Sequence, residues 1–400
     1  MGASAAGLFT AEALRRHGFD GDVLVVGDEA PYDRPPLSKQ VLKGDWPADR
    51  AALMPPARMA SLDAEIVTDR RAVGLDRAAK IVRFADGGTL TYDELVIATG
   101  AQPRRLPGTN HAGIHELRTI ADADGLRAAI LEHQELLVIG AGFIGLEVAA
   151  TAVALGARVT VVEPLAKPLA SRIGAHAAAR LLRRHQEAGV DLRVGVGVRD
   201  IKADGKGTIV ELADGTTLTS RAVCVGIGCA PGVEWLQDSG LELDNGVVCD
   251  AFCQAAPNVW AAGDVARWYH EGIGRLMRIE HRTNAQEQGE AVARNILGAN
   301  AAFTPVPFFW SDQHGVKLQC AGLLPDDPED EGVLMEGDPE SESFLRAYYR
   351  DGTIVGVLGW NAAKAMPAYR REISFATPLP PYAQPMSISR QGIQYESRRT

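Results

Sequence analysis

The sequence predicts an α/β protein with an appended C-terminal domain, on three observations. Short β-branched runs alternate with longer alanine-rich amphipathic stretches, the pattern of parallel strands joined by helices. A strand, a glycine triplet, a helix and a second strand ending in an acid follow one another around residue 140. From about residue 305 the texture changes to VPFFWSD, the acidic PDDPEDEG and FLRAYYRDGTIVGVLGW, which read as strands separated by turns of an α+β domain.

The strand candidates are Val23 to Val26, Leu95 to Ala98, Leu136 to Ile139, Val159 to Val162, Ala222 to Val225 and Val259 to Ala262. Most are almost wholly apolar, as strands buried on both faces must be. Four hundred residues suffice for two or three domains. The expected division is residues 1–108 and 233–304 as two parts of one nucleotide-binding domain, 109–232 as a second, and 305–400 as the C-terminal domain. The last stretch, TPLPPYAQPMSISRQGIQYESRRT, is proline-rich and reads as an extended tail.

Bulk properties narrow the function. Hydrophobic residues make up 46% and charged residues 23%, as in ordinary soluble proteins. No apolar run reaches the roughly 18 residues of a membrane span. The start MGASAAGLFTAEALRRHG lacks the features of a secretory signal, so a cytoplasmic location is the default expectation. A net charge of −10 opposes general nucleic-acid binding. Five cysteines, an odd number confined to the second half, fit a reducing compartment better than a disulfide framework.

The stronger nucleotide module is LLVIGAGFIGLEVAATAVALGARVTVVEP. Gly140 permits the tight turn, Gly142 lets a pyrophosphate approach the backbone, and Gly145 allows close packing of helix on strand. Phe143 and Ile144 open a helix whose free N–H groups face the phosphates. Glu163 closes the next strand, where a carboxylate accepts from both ribose hydroxyls and repels a 2′-phosphate, which favours NADH over NADPH. The second module is degenerate: Gly2, Ser4, Ala5, Ala6 and Gly7 stand in for the fingerprint, followed by a helix and VLVVGDE ending in Asp28 and Glu29. The strand that should precede Gly2 is missing. Because that strand would be central in a parallel sheet, the sequence leads us to expect that the natural chain starts several residues earlier; intact-mass measurement of the native protein, or the upstream reading frame, decides this. Two further segments fit ligand-binding ends of strands: IATGAQPR with Thr99 and Gly100, and AAGDVA with Gly263 and Asp264, whose carboxylate can accept from a ribityl hydroxyl.

These segments together resemble the FAD-dependent, NADH-using ferredoxin reductases of ring-hydroxylating dioxygenases and bacterial cytochrome P-450 systems, the putidaredoxin-reductase-like group with a glutathione-reductase-type fold. The carriers are GASAAG, PYDRPPLSK, LVIATGAQPR, ELRTIADA, IGAGFIGLEVAA, VVEP, GIG, VWAAGDVA, RIEHRTNAQEQG and FFWSDQ. The resemblance implies FAD on Ala6, Asp28, Lys39, Ala72, Arg118, Asp264 and the position of Arg282, with Trp310 covering the flavin ring. It implies NADH on Gly140 to Glu147, Glu163, Gly226, Ile227, Gly228 and Glu280. Position 282 commonly carries an aromatic or aliphatic residue in this family and here is arginine, which would alter potential or partner preference if it touched the flavin edge or the docking surface. Lys39, on the flavin N5 side, would stabilise negative charge on the reduced ring, and Glu147 would pair with it and regulate nicotinamide entry. No side chain need act as a general acid.

Cys224 and Cys229 have the CxxxxC spacing of disulfide flavoenzymes, yet the loop where such a pair belongs reads PYDRPPLSK, so no redox disulfide is expected. Cys249 and Cys253, and the scattered His111, His115, His281 and His314, do not form metal-ligand patterns, so no metal is expected. The implied activity passes two electrons from NADH through FAD, singly, to a [2Fe–2S] ferredoxin. Docking of an acidic ferredoxin needs a basic patch, for which Arg58, Lys364, Arg370 and Arg371 are candidates. Rubredoxin reduction, an NADH oxidase and an NADH-sensing flavoprotein related to apoptosis-inducing factor are the alternatives.

Overall fold

A computed structural model describes residues 1–375; residues 376–400, which hold the proline-rich tail, lie outside the described residues. Five parallel strands form the sheet of the second module, in the order Asp191–Val194, Arg158–Glu163, Glu135–Ile139, Val223–Val225, Ile114–His115. Successive side chains of a strand point to opposite faces. Leu136, Val138, Val159, Val161 and Cys224 therefore enter one core, with Leu126, Ile130, Leu146 and Ala149 of the covering helices. Leu137, Ile139, Val162, Val223 and Val225 enter another, beneath the antiparallel strands Val198–Ala203, Thr208–Leu212 and Thr217–Ser220. In the central runs Leu136 to Ile139 and Val223–Val225 both alternations are apolar because both faces are covered.

The helices start and stop for local reasons. Ile120–His133 begins at Thr119, whose hydroxyl accepts from the Asp122 N–H while the Asp122 carboxylate accepts from the Thr119 N–H. Such a capping box is worth about 1 kcal/mol. Phe143–Ala154 begins at Gly142 with no side-chain cap, so its first N–H groups stay free for a ligand.

The first module is built around residues 1 and 2. Leu24–Val26 pairs with Glu65–Val67, and Leu95–Ile97 pairs with Val259–Ala261. Met1 and Gly2 lie between these pairs. The Met1 amino group donates to the Val96 carbonyl at 2.7 Å, the Ala98 N–H donates to the Met1 carbonyl at 2.7 Å, and the Gly2 N–H donates to the Val26 carbonyl at 2.6 Å. Two residues thus make the hydrogen bonds through which a central strand would join the two sheets. Burial pushes the amine down to about 5. Helix Ala5–Arg16 then packs on helix Arg282–Ile296, whose sequence is distant but whose Ala285 and Val292 share its core.

Five antiparallel strands form the C-terminal sheet, in the order Phe308–Gln313, Val316–Gly322, Thr353–Trp360, Phe344–Arg350, Val333–Gly337. One face, with Val316, Leu318, Phe344, Leu358 and Trp360, joins the core of the second module. The other, with Ala321, Leu345 and Val357, packs on Met366 of helix Met366–Glu372. The shared core fixes strand Phe308–Gln313 against helix Phe143–Ala154.

Candidate nucleotide and electron-transfer site

The two glycine motifs build the same cradle twice. Gly140 has φ +108, and a Cβ there would sit 2.4 Å from the Gly226 carbonyl; Gly2 has φ +118, and its Cβ would sit 2.1 Å from the Ala98 carbonyl. Only glycine tolerates either place. Cβ atoms on Gly145 and Gly7 would meet the carbonyls of Gly140 and Gly2 at 2.1 and 2.0 Å. Gly142 instead faces open space, room for a pyrophosphate at an uncapped helix start. Ser4 takes that place in the first module, extended and with no cap hydrogen bond from its side chain. Both cradles therefore fit a dinucleotide.

The acids after the two cradles differ. Glu163 is 8% exposed and accepts from the N–H groups of Ala141 at 2.8 Å and Leu165 at 2.9 Å. The Gly140 N–H donates to Val162 as the Gly2 N–H donates to Val26, so Gly27, not Asp28, stands at the place of Glu163. A side chain at Gly27 would strike Ala3, its Cβ 2.6 Å from that of Ala3. Asp28 lies one residue further, exposed and paired with Arg71, while Glu29 accepts from Tyr32 and Arg34.

Other expected positions gather around these cradles. The Gly226–Gly228 loop abuts Gly140 and Gly145, with Ile227 against the core beneath it. Thr99 donates from its hydroxyl to the Gly232 carbonyl at 2.8 Å, and Gly100 approaches the Arg118 guanidinium. Arg118 stands 3.7 Å from Asp264. Burial raises the Asp264 carboxyl and lowers Arg118, since each loses water and regains only part of it from the other. Gly263 packs against Ala6 and donates its N–H to Gln288. Glu280 pairs with Arg278 at 2.6 Å, and burial, with the Glu280 charge second, pushes the Cys229 thiol up to about 12. Ala72 opens strand Ala72–Asp76, half-buried.

Lys39 and Glu147 meet where the modules touch. PPLSK folds into a π-helical turn, Leu37–Val41, in which the Val41 N–H reaches back to Pro36. Such turns are rare and recur at functional sites. Lys39 donates to the Glu147 carboxylate at 2.6 Å and to the Pro35 carbonyl at 3.2 Å. Glu147, 2% exposed, also accepts from Ser38 and from Ser311 of the C-terminal domain, while Thr151 donates to the Ser38 carbonyl. Sequence reasoning named Lys39 and Glu147 but missed Ser38, Thr151 and Ser311. Ser38 and Ser311 lie inside PPLSK and FFWSDQ, and alternation along the strand places Ser311 on the face opposite Trp310. Phe143 packs on Phe309 with ring centroids 5.0 Å apart, and Ile144 is 49% exposed beside it. Trp310 is half-buried near Phe308.

Arg282 is held within the protein. It donates to Asp33 at 2.5 Å and lies 5.0 Å over the Phe9 ring. Of the basic docking candidates, Arg58 pairs with Glu12, Arg370 pairs with Glu287 and lies over Phe308, Arg371 donates to the Pro367 carbonyl, and Lys364 is exposed. All five cysteines are free thiols, and burial pushes Cys224 and Cys253 up to about 12. His111, His115, His281 and His314 do not assemble; among the described residues no group of three His, Cys, Asp or Glu could hold a metal. None of the described helices is long and apolar enough to cross a membrane.

Comparison with known proteins agrees with this geometry. Residues 1–289 match the family model for pyridine nucleotide-disulphide oxidoreductases, and residues 308–384 match the reductase C-terminal model. The chain is 36% identical to rhodocoxin reductase of Rhodococcus erythropolis, over 95% of this chain and 90% of that protein. It is 38% identical to the ferredoxin–NAD(+) reductase component of the anthranilate 1,2-dioxygenase system of Burkholderia cepacia, over 94% and 93%. The covalent putidaredoxin reductase–putidaredoxin complex superposes with a TM-score of 0.85 at 33% identity, covering 95% of this chain and 93% of that one. With over two thirds of its length matched by one family model, the chain belongs to the pyridine nucleotide-disulphide oxidoreductase family.

Proposed function

We propose that this chain is an NADH-dependent ferredoxin reductase: it oxidises NADH on FAD and delivers the electrons singly to a [2Fe–2S] ferredoxin that supplies an oxygenase. The observation that carries the reading is the buried Lys39–Glu147 pair, which joins the loop of one glycine cradle to the helix of the other. Bound FAD supplies the conversion of a two-electron donor into one-electron steps. Gly2, Ser4, Ala5, Ala6, Gly7, Arg118 and Asp264 hold it, and Gly140 to Gly145, Gly226 to Gly228 and Glu163 hold the nicotinamide nucleotide. Lys39 places a positive charge at the flavin edge, and Glu147 fixes the ammonium there. The loop that would carry a redox cysteine pair carries Lys39 instead, so the acceptor of the electrons lies outside the chain. Relatives named for rhodocoxin and putidaredoxin reduction and for a dioxygenase ferredoxin support that acceptor class.

The test mixes the FAD-loaded protein with NADH in a stopped-flow spectrometer, then follows cytochrome c reduction with and without purified [2Fe–2S] ferredoxins. Rapid flavin bleaching and ferredoxin-dependent cytochrome c reduction are expected. Cytochrome c rates unchanged by every ferredoxin, with fast oxygen consumption, would overturn the proposal in favour of an oxidase.

A further inference from the structure

Behind Glu147 a chain of buried polar groups runs to the surface through two domains. Ser311 contacts the Glu147 Oε1, Gln313 Nε2 lies 2.8 Å from Ser311 Oγ, His185 Nε2 lies 2.8 Å from Gln313 Oε1, and His314 Nε2 lies 3.0 Å from His185 Nδ1. Ser311, Gln313 and His185 are 2%, 3% and 0% exposed, and half-buried His314 ends the chain in a turn. Of these links only Ser311–Gln313 is local in sequence.

The carboxylate dictates the direction of every link. An ionised Glu147 only accepts, so Ser311 must donate its proton to it. Ser311 then has only lone pairs left for Gln313, which must offer its NH2. The Gln313 carbonyl therefore faces His185 and requires a proton on Nε2. Burial pushes the His185 imidazole down to about 4, so it stays neutral with a bare Nδ1, and His314 must donate to it. We infer that His314, His185, Gln313 and Ser311 form a one-way hydrogen-bond relay that orients the Glu147 carboxylate toward Lys39, making the four of them positioning residues for hydride transfer. The inference rests on the reading of Lys39 and Glu147 given above. The amide in the middle blocks passage of a proton, so the relay transmits orientation. A chain of buried hydrogen bonds with one end on a charge stiffens through mutual polarisation.

The relay makes a prediction that needs no turnover. In Glu147→Gln the carbonyl oxygen stays with Lys39 and Ser38, so the new NH2 faces Ser311. Were Ser311 to accept from NH2 groups on both sides, its own buried proton would go unpaired, the costlier arrangement, so every link reverses and His185 moves its proton from Nε2 to Nδ1. Imidazole 15N NMR of the FAD-loaded protein reads the tautomer directly. Expected are Nε2–H at His185 in the wild type and Nδ1–H in Glu147→Gln; an unchanged tautomer overturns the relay. In parallel, Gln313→Leu and the surface variant His314→Ala are mixed with NADH in stopped flow. Flavin bleaching in Gln313→Leu is expected to slow about tenfold, as when an orienting partner is removed, with a smaller effect in His314→Ala. In a Glu147→Gln background Gln313→Leu should add nothing, because both act through one group. Full additivity, or rates within twofold of wild type in both single variants, refutes the positioning role. Bleaching at the wild-type rate in Glu147→Gln refutes instead the role of Glu147, and the tautomer result still stands on its own.

Discussion

Glu163 is where nucleotide choice is most open to test. Its carboxylate, 8% exposed, is held by the N–H groups of Ala141 and Leu165 at the end of its strand, beside the Gly140–Gly142 turn. A 2′-phosphate arriving about 5 Å from it meets roughly 3 kcal/mol of repulsion per unit charge at an effective dielectric of about 20. Glu163→Gln keeps the shape and removes that charge. Relief of that repulsion alone should therefore lower the ratio of kcat/KM for NADH over NADPH about 100-fold, since about 1.4 kcal/mol is a factor of ten. The variant also loses a charge-assisted acceptor for the ribose, worth about 1.5–3 kcal/mol, so kcat/KM for NADH itself should drop about tenfold or more. Because the amide cannot accept from both N–H groups with both its atoms, one donor goes unpaired, at about 1–3 kcal/mol of stability. The assay is initial-rate kinetics with both nucleotides on the FAD-loaded variant, with a urea titration alongside. An NADH-to-NADPH ratio unchanged within threefold would refute the electrostatic account and leave Glu163 as a purely structural acceptor.

Other outcomes follow from the same geometry. Lys39→Met should lower the flavin midpoint potential and slow bleaching by NADH, because the reduced ring loses its neighbouring cation; spectroelectrochemistry reads this, and an unchanged potential removes Lys39 from the flavin edge. Gly140→Ala should abolish nucleotide-dependent bleaching, since its Cβ would stand 2.4 Å from the Gly226 carbonyl; tight NAD+ binding by this variant would contradict the cradle. Trp360, fully buried in the core shared by the C-terminal sheet and the second module, should cost about 3–5 kcal/mol as Trp360→Ala, measured by urea unfolding. His185 has its folded pKa pushed down to about 4 from 6.5 by burial. The unfolded chain thus binds the proton first as pH falls, and the stability contributed by the neutral ring is complete above 6.5 and lost on the way to 4. The unfolding midpoint should fall less between pH 7 and 4 in His185→Gln than in wild type, and equal falls would contradict it.

What was legible in the sequence was what covalent pattern and periodicity fix. Strands buried on both faces, such as Leu136 to Ile139, announce themselves because neither alternation can carry a polar residue. The glycine cradle at Gly140 announces itself because no other residue fits its contacts. Contacts brought together by tertiary packing left no such trace. Ser311 and Gln313 carry no local sign that their strand lies against helix Phe143–Ala154, and His185 looks like any polar residue on an amphipathic helix until the C-terminal sheet covers it. Arg282 is a further case: the sequence marks a departure at this position, and only the fold shows that Asp33 and Phe9 lie against the side chain.

The two glycine modules show how much of a fingerprint belongs to the ligand and how much to the chain. Gly2 and Gly140 both touch a carbonyl at the end of the adjoining strand, and Gly7 and Gly145 both touch the first glycine's carbonyl; these four answer to backbone packing and recur unchanged. The middle position differs, Ser4 against Gly142, because it faces the open side of the turn, where a small side chain is tolerated. The acid differs as well. At Gly27 a side chain would collide with Ala3, so the first module moves its carboxylate one residue on to Asp28, which is exposed and paired with Arg71, whereas Glu163 folds back onto its own turn. Positions set by packing are therefore the reliable markers of such a site, and positions set by the ligand are where two copies of one cradle come to hold different nucleotides. Exchanging the acids tests this: Gly27→Glu should unfold the first module through the clash with Ala3, while Asp28→Asn should weaken only FAD retention. A folded, FAD-loaded Gly27→Glu would show that the register difference is not steric.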